Sequence, residues 1–322
     1  MITYNGTSYA TEPGETILTC LERQGVNIPS FCRSGVCQTC LVKVTEGTPP
    51  ARAQAGLKDS WKRQGFVMSC VCEATGDLRI EPADAARTYA SRVVTTERLS
   101  NTVVRVLLEK PAEFSFEGGQ FVQLARPADA VTRPYSIASL PSDEHLEFHI
   151  AVYPDGALSP WLAAAAGERV SVTGPFGECT YVADEPDRPL LLAGTGTGLA
   201  PLVAVLRAAV AANHSGPIDL YHGARTDQEL YYWQQLHALD LPPNVKVHGL
   251  CLEAVTSAST AVRSGDLTQV LLAAHPKPEP ARIYLCGHPT LVQGLKKRLY
   301  LAGASLSRIH SDPFLPPAAA AQ

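Results

Sequence analysis

The stretch FCRSGVCQTCLVKV, from Phe31 to Val44, carries Cys32, Cys37 and Cys40 in close succession. Thiols this dense constrain the chain more than any other feature, because they must either cross-link or share a bound group. The segment MSCVCEA offers a further thiolate at Cys70 or Cys72, which as strand residues two apart share one face. Nine cysteines in all is an odd number for a disulfide framework.

Composition narrows the compartment and the partners. A chain of 322 residues exceeds one ordinary core, so two or three domains are expected. With 45% hydrophobic and 18% charged residues it is globular. The net charge of −4, with no basic tract, argues against nucleic acid as a partner. No apolar run approaches the ~20 residues of a membrane span. The start, MITYNGTSYATEPGET, lacks the basic and apolar segments of a secretory signal, so no membrane association and a cytoplasmic location are expected. Disulfides rarely persist there, which leaves metal binding or redox chemistry for the clustered thiols.

Three regions differ in pattern. Residues 1–86 read as strands from ITYNGTSYATE, a helix over ETILTCLERQG ended by Gly25, then strands LVKVTEG and LRIEPA, a compact α+β unit. Residues 87–185 hold regularly spaced strand-like runs, SRVVTTERLS, TVVRVLLEK, GQFVQLAR, YSIAS, LEFHIAVY and ERVSVTG, with one helix candidate, SPWLAAAAG. That spacing predicts an all-β antiparallel barrel or sandwich. Residues 186–322 alternate apolar strands (PLLLAG, IDLYHGA, VKVHGLC, RIYLCG) with helices (LAPLVAVLRAAVAANH, ELYYWQQLHAL, DLTQVLLAA, TLVQGLKKRLYLAGA), an α/β parallel sheet. The tail LPPAAAAQ is expected to fray.

The spacing Cys32-x4-Cys37-x2-Cys40 is that of plant-type iron–sulfur ligands. A loop with Ser34 and Gly35 can wrap a small cluster while a distant segment supplies the last thiolate. Zinc is the competing occupant, although only Cys37/Cys40 has the paired spacing zinc knuckles use. In RPYS, strand alternation puts Arg133 and Tyr135 on one face, and a guanidinium fork suits phosphate. Alone it would read as an ordinary strand start. Gly156-Ala157-Leu158-Ser159 before Pro160 reads as a turn with an N-cap. Gly194-Thr195-Gly196-Thr197-Gly198-Leu199-Ala200-Pro201 follows an apolar strand and opens a helix, yet departs from GxGxxG at Leu199 and lacks the usual later acidic residue.

Together these motifs resemble the ferredoxin–NAD(P) reductase superfamily carrying an N-terminal plant-type [2Fe–2S] ferredoxin domain. The order is similar to reductase components of bacterial mono- and dioxygenases, of the phenol hydroxylase and methane monooxygenase reductase type. The resemblance implies a β-grasp ferredoxin domain (1–86), an antiparallel Greek-key FAD-binding β-barrel (87–185) and a Rossmann-like NAD(P)-binding parallel sheet (186–322). It assigns Cys32, Cys37, Cys40 and, in preference to Cys72, Cys70 as cluster ligands. Arg133, Pro134, Tyr135 and Ser136 match the family's RxYS, with Arg on the flavin diphosphate, Tyr on the ring and Ser at its polar edge. Gly156, Leu158 and Ser159 fall in its GxxS, where helix N–H groups receive the diphosphate, and Ile150, Ala151 and Val152 would lie along the flavin. GPFG at 174–177 matches as well.

Gly194, Thr195, Gly196, Thr197, Gly198 and Pro201 match the GTGxxP loop for the dinucleotide. Cys286, Gly287 and Pro289 match CGxP, with Cys286 and Ser136 beside the hydride path. Arg225, in HGART, would border the adenine ribose. Asp227 and Glu229 follow it where NADP-specific relatives add a base, which favours NADH over NADPH. Phe314 resembles an aromatic that covers the flavin. His288 is expected to be exposed and without a catalytic role, and Cys20, Cys179 and Cys251 to be packing residues.

The expected route is NADH to FAD to [2Fe–2S] to an oxygenase with a Rieske or di-iron centre, by a monomer that docks through the cluster's exposed side near Arg33 to Val36. A reductase of deoxysugar synthesis and a redox sensor are the alternatives.

Overall fold

The computed structural model describes residues 1–28, 30, 33–35, 40–57, 59–73, 76–83, 88–129, 131–255 and 262–314. The chain divides into two compact units, Met1–Arg87 and Thr88–Gln322. Among the described residues no helix is long and apolar enough to cross a membrane.

In the first unit, β1 (Ile2–Tyr4) and β2 (Thr7–Tyr9) form a hairpin whose turn needs positive φ at Asn5 (48°) and Gly6 (82°). Helix α1 (Ile17–Arg23) begins with a capping box: Thr16 Oγ1 accepts from Thr19 N at 3.2 Å, and Thr19 Oγ1 accepts from Thr16 N at 3.0 Å. It buries Ile17, Leu18, Cys20 and Leu21. The remaining elements are β3 (Leu41–Glu46), α2 (Asp59–Arg63), β4 (Phe66–Met68) and β5 (Leu78–Pro82). The sheet order is β2-β1-β5-β3-β4, with β1 and β5 parallel and the other pairs antiparallel. α1 shares its core with Val42, Val67 and Ile80 of this mixed sheet.

The second unit begins with an antiparallel sheet of β6 (Thr88–Arg98), β7 (Val103–Glu109), β8 (Phe121–Ala125), β9 (Thr132–Ser136), β10 (His145–Ala151) and β11 (Arg169–Phe176). Its order is β10-β7-β6-β11-β8-β9, and the Ile137–Phe148 bridge joins the two ends into a barrel. Leu146, Phe148 and Ile150 enter the barrel core, whereas Glu147 and His149 are buried on the opposite face. The expected helix over SPWLAAAAG is cut to α3 (Ser159–Ala163), with the following alanines in a turn.

The parallel half comprises β12 (Leu190–Thr195), α4 (Leu199–Ala211), β13 (Ile218–Ala224), α5 (Trp233–Ala238), β14 (Val245–Cys251), β15 (Val262–Ser264), α6 (Leu267–Ala274), β16 (Arg282–Gly287), α7 (Pro289–Leu301) and β17 (Ile309–Pro313). The sheet order β15-β14-β13-β12-β16-β17 reverses direction between β12 and β16. In open parallel sheets such a switch point opens a crevice at the strands' carboxyl ends. The helix expected over ELYYWQQLHAL starts only at Trp233. Tyr232 is left-handed (φ 65°), and Tyr231 and Tyr232 turn onto the barrel instead.

Candidate functional site

In the first unit Cys32, Cys37 and Val36 lie outside the described residues, so the expectations on them rest on sequence. Cys40 is buried just before β3, and its carbonyl accepts from both Ser69 N (3.0 Å) and Ser69 Oγ (2.8 Å). These two hydrogen bonds hold Ser69 where the chain leaves the ladder after Met68. The expectation that Cys70 and Cys72 share a strand face is therefore corrected: residues 69–71 form a turn, closed by Val71 N to Met68 O at 3.1 Å. A Cβ on Gly35 would stand 3.2 Å from a Val71 methyl, so the described part of the cysteine loop rests on the turn that carries Cys70. Arg33, in the same loop, pairs with Glu22 at 2.7 Å. Cys72 is wholly buried in the core, its carbonyl accepts from Ile17 N at 2.8 Å, and burial pushes its thiol up to about 11. The Gly35 cradle and the thiols at Cys40 and Cys70 fit an iron–sulfur cluster.

In the second unit the switch point gathers the glycine motifs. A Cβ on Gly194 would be 2.9 Å from the Cys286 carbonyl oxygen, and one on Gly198 only 2.4 Å from it. A Cβ on Gly287 (φ 110°) would be 2.6 Å from Thr195 O. The GTGTG loop and the CG turn therefore interlock backbone to backbone. Gly196 (φ 52°) faces open space. α4 starts there, with Pro201 buried in its first turn, and its leading N–H groups suit a diphosphate. His288 is exposed and caps α7, its Nδ1 accepting from Thr290 N at 3.3 Å, with Pro289 as the first helical residue. Beside the loop, His222 is fully buried, which pushes its imidazole down to about 4 against the opposing influence of the Gly196 backbone. Arg225 is exposed and faces Glu229 at 3.4 Å and Glu253 at 3.9 Å, the second carboxylate being one that sequence proximity did not flag.

On the barrel side, Arg133 Nη1 donates to the neighbouring Thr132 carbonyl at 2.7 Å. Pro134 is exposed, and burial pushes the half-buried Tyr135 up to about 12. Ser136 is buried, and its Oγ donates to Asp312 Oδ2 at 3.2 Å. Asp312 pairs with Cys286 in the β16–β17 register, and burial raises its carboxyl pKa. Cys286 Sγ in turn lies 3.3 Å from Cys179 Sγ. Phe314 N donates to Gly287 O at 2.8 Å, which ties Phe314 to the CG turn. Sequence reading missed Asp312 and assigned Cys179 to packing alone. The HSDPF segment was legible only for its aromatic, because β17 is too short to show a period.

Ser159 is the first residue of α3 and not its cap, a correction to the turn-with-N-cap reading. Its Oγ accepts from Tyr153 N at 3.2 Å, and a Gly156 Cβ would press within 2.6 Å of it. Leu158 is the flanking, buried residue. Ile150 points into the barrel core, which leaves only its backbone for a ligand, while Ala151 and Val152 are half-buried.

A buried polar network joins the barrel to the parallel half. Glu147 accepts from Arg105 Nη2 (3.1 Å) and from Tyr232 OH (3.3 Å), and its Oε1 lies 2.9 Å from His149 Nε2. His149 Nδ1 meets Tyr231 OH at 3.2 Å. Burial alone would raise the Glu147 pKa, but His149 and Arg105 hold it down at about 2.

Comparison with known proteins gives three domain matches. Residues 2–75 match the 2Fe-2S iron-sulfur cluster binding domain, 90–181 the oxidoreductase FAD-binding domain and 192–297 the oxidoreductase NAD-binding domain. The chain is 33% identical to the ferredoxin–NAD(P)(+) reductase component of the naphthalene 1,2-dioxygenase/salicylate 5-hydroxylase systems of a Ralstonia species, over 95% of each chain. It is 31% identical to the reductase subunit of an aromatic O-demethylase of an Amycolatopsis species, over 98% of each. Among solved structures, the Amycolatopsis cytochrome P450 reductase GcoB aligns over 98% of each chain, with a TM-score of 0.65 and 30% identity.

Proposed function

We propose a route for electrons through this chain, which belongs to the iron–sulfur flavoprotein reductase components of bacterial oxygenase systems. It has binding domains for a [2Fe–2S] cluster, FAD and NAD(P), and is an oxidoreductase that supplies an oxygenase component with electrons. Its three modules are read as 1–86, 87–185 and 186–322. When bound, FAD would supply a hydride acceptor that can give up electrons one at a time, and the [2Fe–2S] cluster a one-electron outlet.

The chain's own residues hold the partners of that transfer in place. Arg133 brings a guanidinium fork suited to the flavin diphosphate, and Tyr135 offers its half-buried ring to the isoalloxazine. The backbone at Gly196, where even a Cβ would meet open space, receives the dinucleotide diphosphate together with the leading N–H groups of α4. Ser136, Asp312 and Cys286 come from three strands to one point, where they orient the nicotinamide against the flavin. Cys32, Cys37, Cys40 and Cys70 hold the cluster, and Cys72 serves the core. A 2′-phosphate at Arg225 would meet the carboxylates of Glu229 and Glu253, which favours NADH. The Ser136–Asp312 hydrogen bond, linking barrel to parallel sheet, is the observation that carries this reading.

Anaerobic rapid mixing with NADH tests the order. Flavin absorbance should bleach first and cluster absorbance second; simultaneous or reversed bleaching would refute the route.

A further inference from the structure

We propose that Cys179 and Cys286 are a reversible redox pair, closed to a disulfide by hydrogen peroxide and reopened by a dithiol, and that closure stops hydride entry. The two sulfurs lie 3.3 Å apart, and they come from different halves of the second unit: Cys179 from the segment leaving β11, Cys286 from β16. A disulfide would require the sulfurs to close from this contact to about 2.05 Å.

Both backbones are held firmly. A Cβ on Gly119 would stand 2.2 Å from Cys179 O, and one on Gly198 would stand 2.4 Å from Cys286 O. The thiols therefore face each other because β16 and the segment after β11 are packed in place. Both residues are buried, and burial pushes the Cys286 thiol well up, so the reduced pair is stable in ordinary turnover.

The chemistry balances. The Cys179 thiolate attacks one peroxide oxygen, the O–O bond breaks, and the departing hydroxide takes a proton to leave as water. Cys286 then attacks the sulfenic sulfur, the S–S bond forms, and the S–O bond breaks to release a second water. Two thiols lose two electrons and the peroxide gains them. A dithiol reductant reverses the step by exchange. Reduced flavin that lacks an acceptor passes electrons to dioxygen and makes peroxide, so closure would halt idle consumption of NADH. This consequence rests on the proposed place of Cys286 beside the nicotinamide, whereas the disulfide itself does not.

The experiment uses the full-length holoprotein, treated with hydrogen peroxide, denatured with alkylation and digested. NADH–ferricyanide activity, which bypasses the cluster, is followed in parallel. A peptide linking Cys179 to Cys286 should accumulate, and the rate should fall in step with it and return with dithiothreitol. Cys179→Ala should keep the untreated rate and lose the peroxide sensitivity. Should that variant fold poorly, the wild-type linked peptide and its reversal still decide the matter. Absence of the linked peptide overturns the proposal, and so does full activity in linked protein. A protein that never oxidises NADH would instead refute the functional reading, and the linked peptide would still decide the disulfide.

Discussion

The Ser136 hydroxyl, on the last residue of β9, donates to the Asp312 carboxylate on β17 at 3.2 Å, so one hydrogen bond ties the barrel to the edge strand of the parallel sheet. Ser136→Ala should slow flavin reduction by NADH roughly tenfold, through loosened positioning, with the flavin still bound. Stopped-flow absorbance measures the rate; an unchanged rate would remove Ser136 from the hydride path.

Asp312 gives a pH test. Burial raises its folded pKa above the unfolded value, so the proton binds more tightly in the native state. The stability this contributes is present at low pH and is lost as pH rises through the folded value. Asp312→Asn should then stabilise the protein more at pH 8 than at pH 4. Thermal unfolding at both pH values checks the sign.

Glu147 behaves in the opposite way. Its pKa is held at about 2 against an ordinary 4.5, so its contribution is full above 4.5 and is lost as pH falls toward 2. Glu147→Gln should destabilise by roughly 3 kcal/mol at neutral pH, since it leaves Arg105 without its buried partner. It should also flatten the decline between pH 4.5 and 2, which denaturant unfolding across that window would reveal.

The glycine loop separates steric need from conformational need. Gly198→Ala places a Cβ 2.4 Å from the Cys286 carbonyl oxygen and should raise the KM for NADH while costing roughly 3 kcal/mol. Gly196→Ala meets open space and should cost only about 1 kcal/mol, from its φ of 52°. Equal effects at the two positions would contradict the interlocked geometry.

Much of the molecule was legible because its motifs are local. The cysteine loop, RPYS, GTGTG and CGHP each hold their chemistry in a few consecutive residues, and the long strands and helices announce themselves by period. What escaped was short or distant. β4, β15 and β17 have three to five residues, too few for a period to emerge. Tyr231 and Tyr232 look helical by composition, yet burial against His149 and Glu147 turns them away. Asp312 meets Ser136, and Cys179 meets Cys286, across more than a hundred residues, a proximity that only the sheet topology creates. Glu253 reaches Arg225 in the same way.

The central claim is that electrons leave through the cluster after passing the flavin, and a Cys40→Ser variant measures it most directly. With flavin bound, this variant should reduce ferricyanide with NADH at the wild-type rate and fail to reduce cytochrome c. Undiminished cytochrome c reduction, or loss of both activities with flavin still in place, would contradict the account.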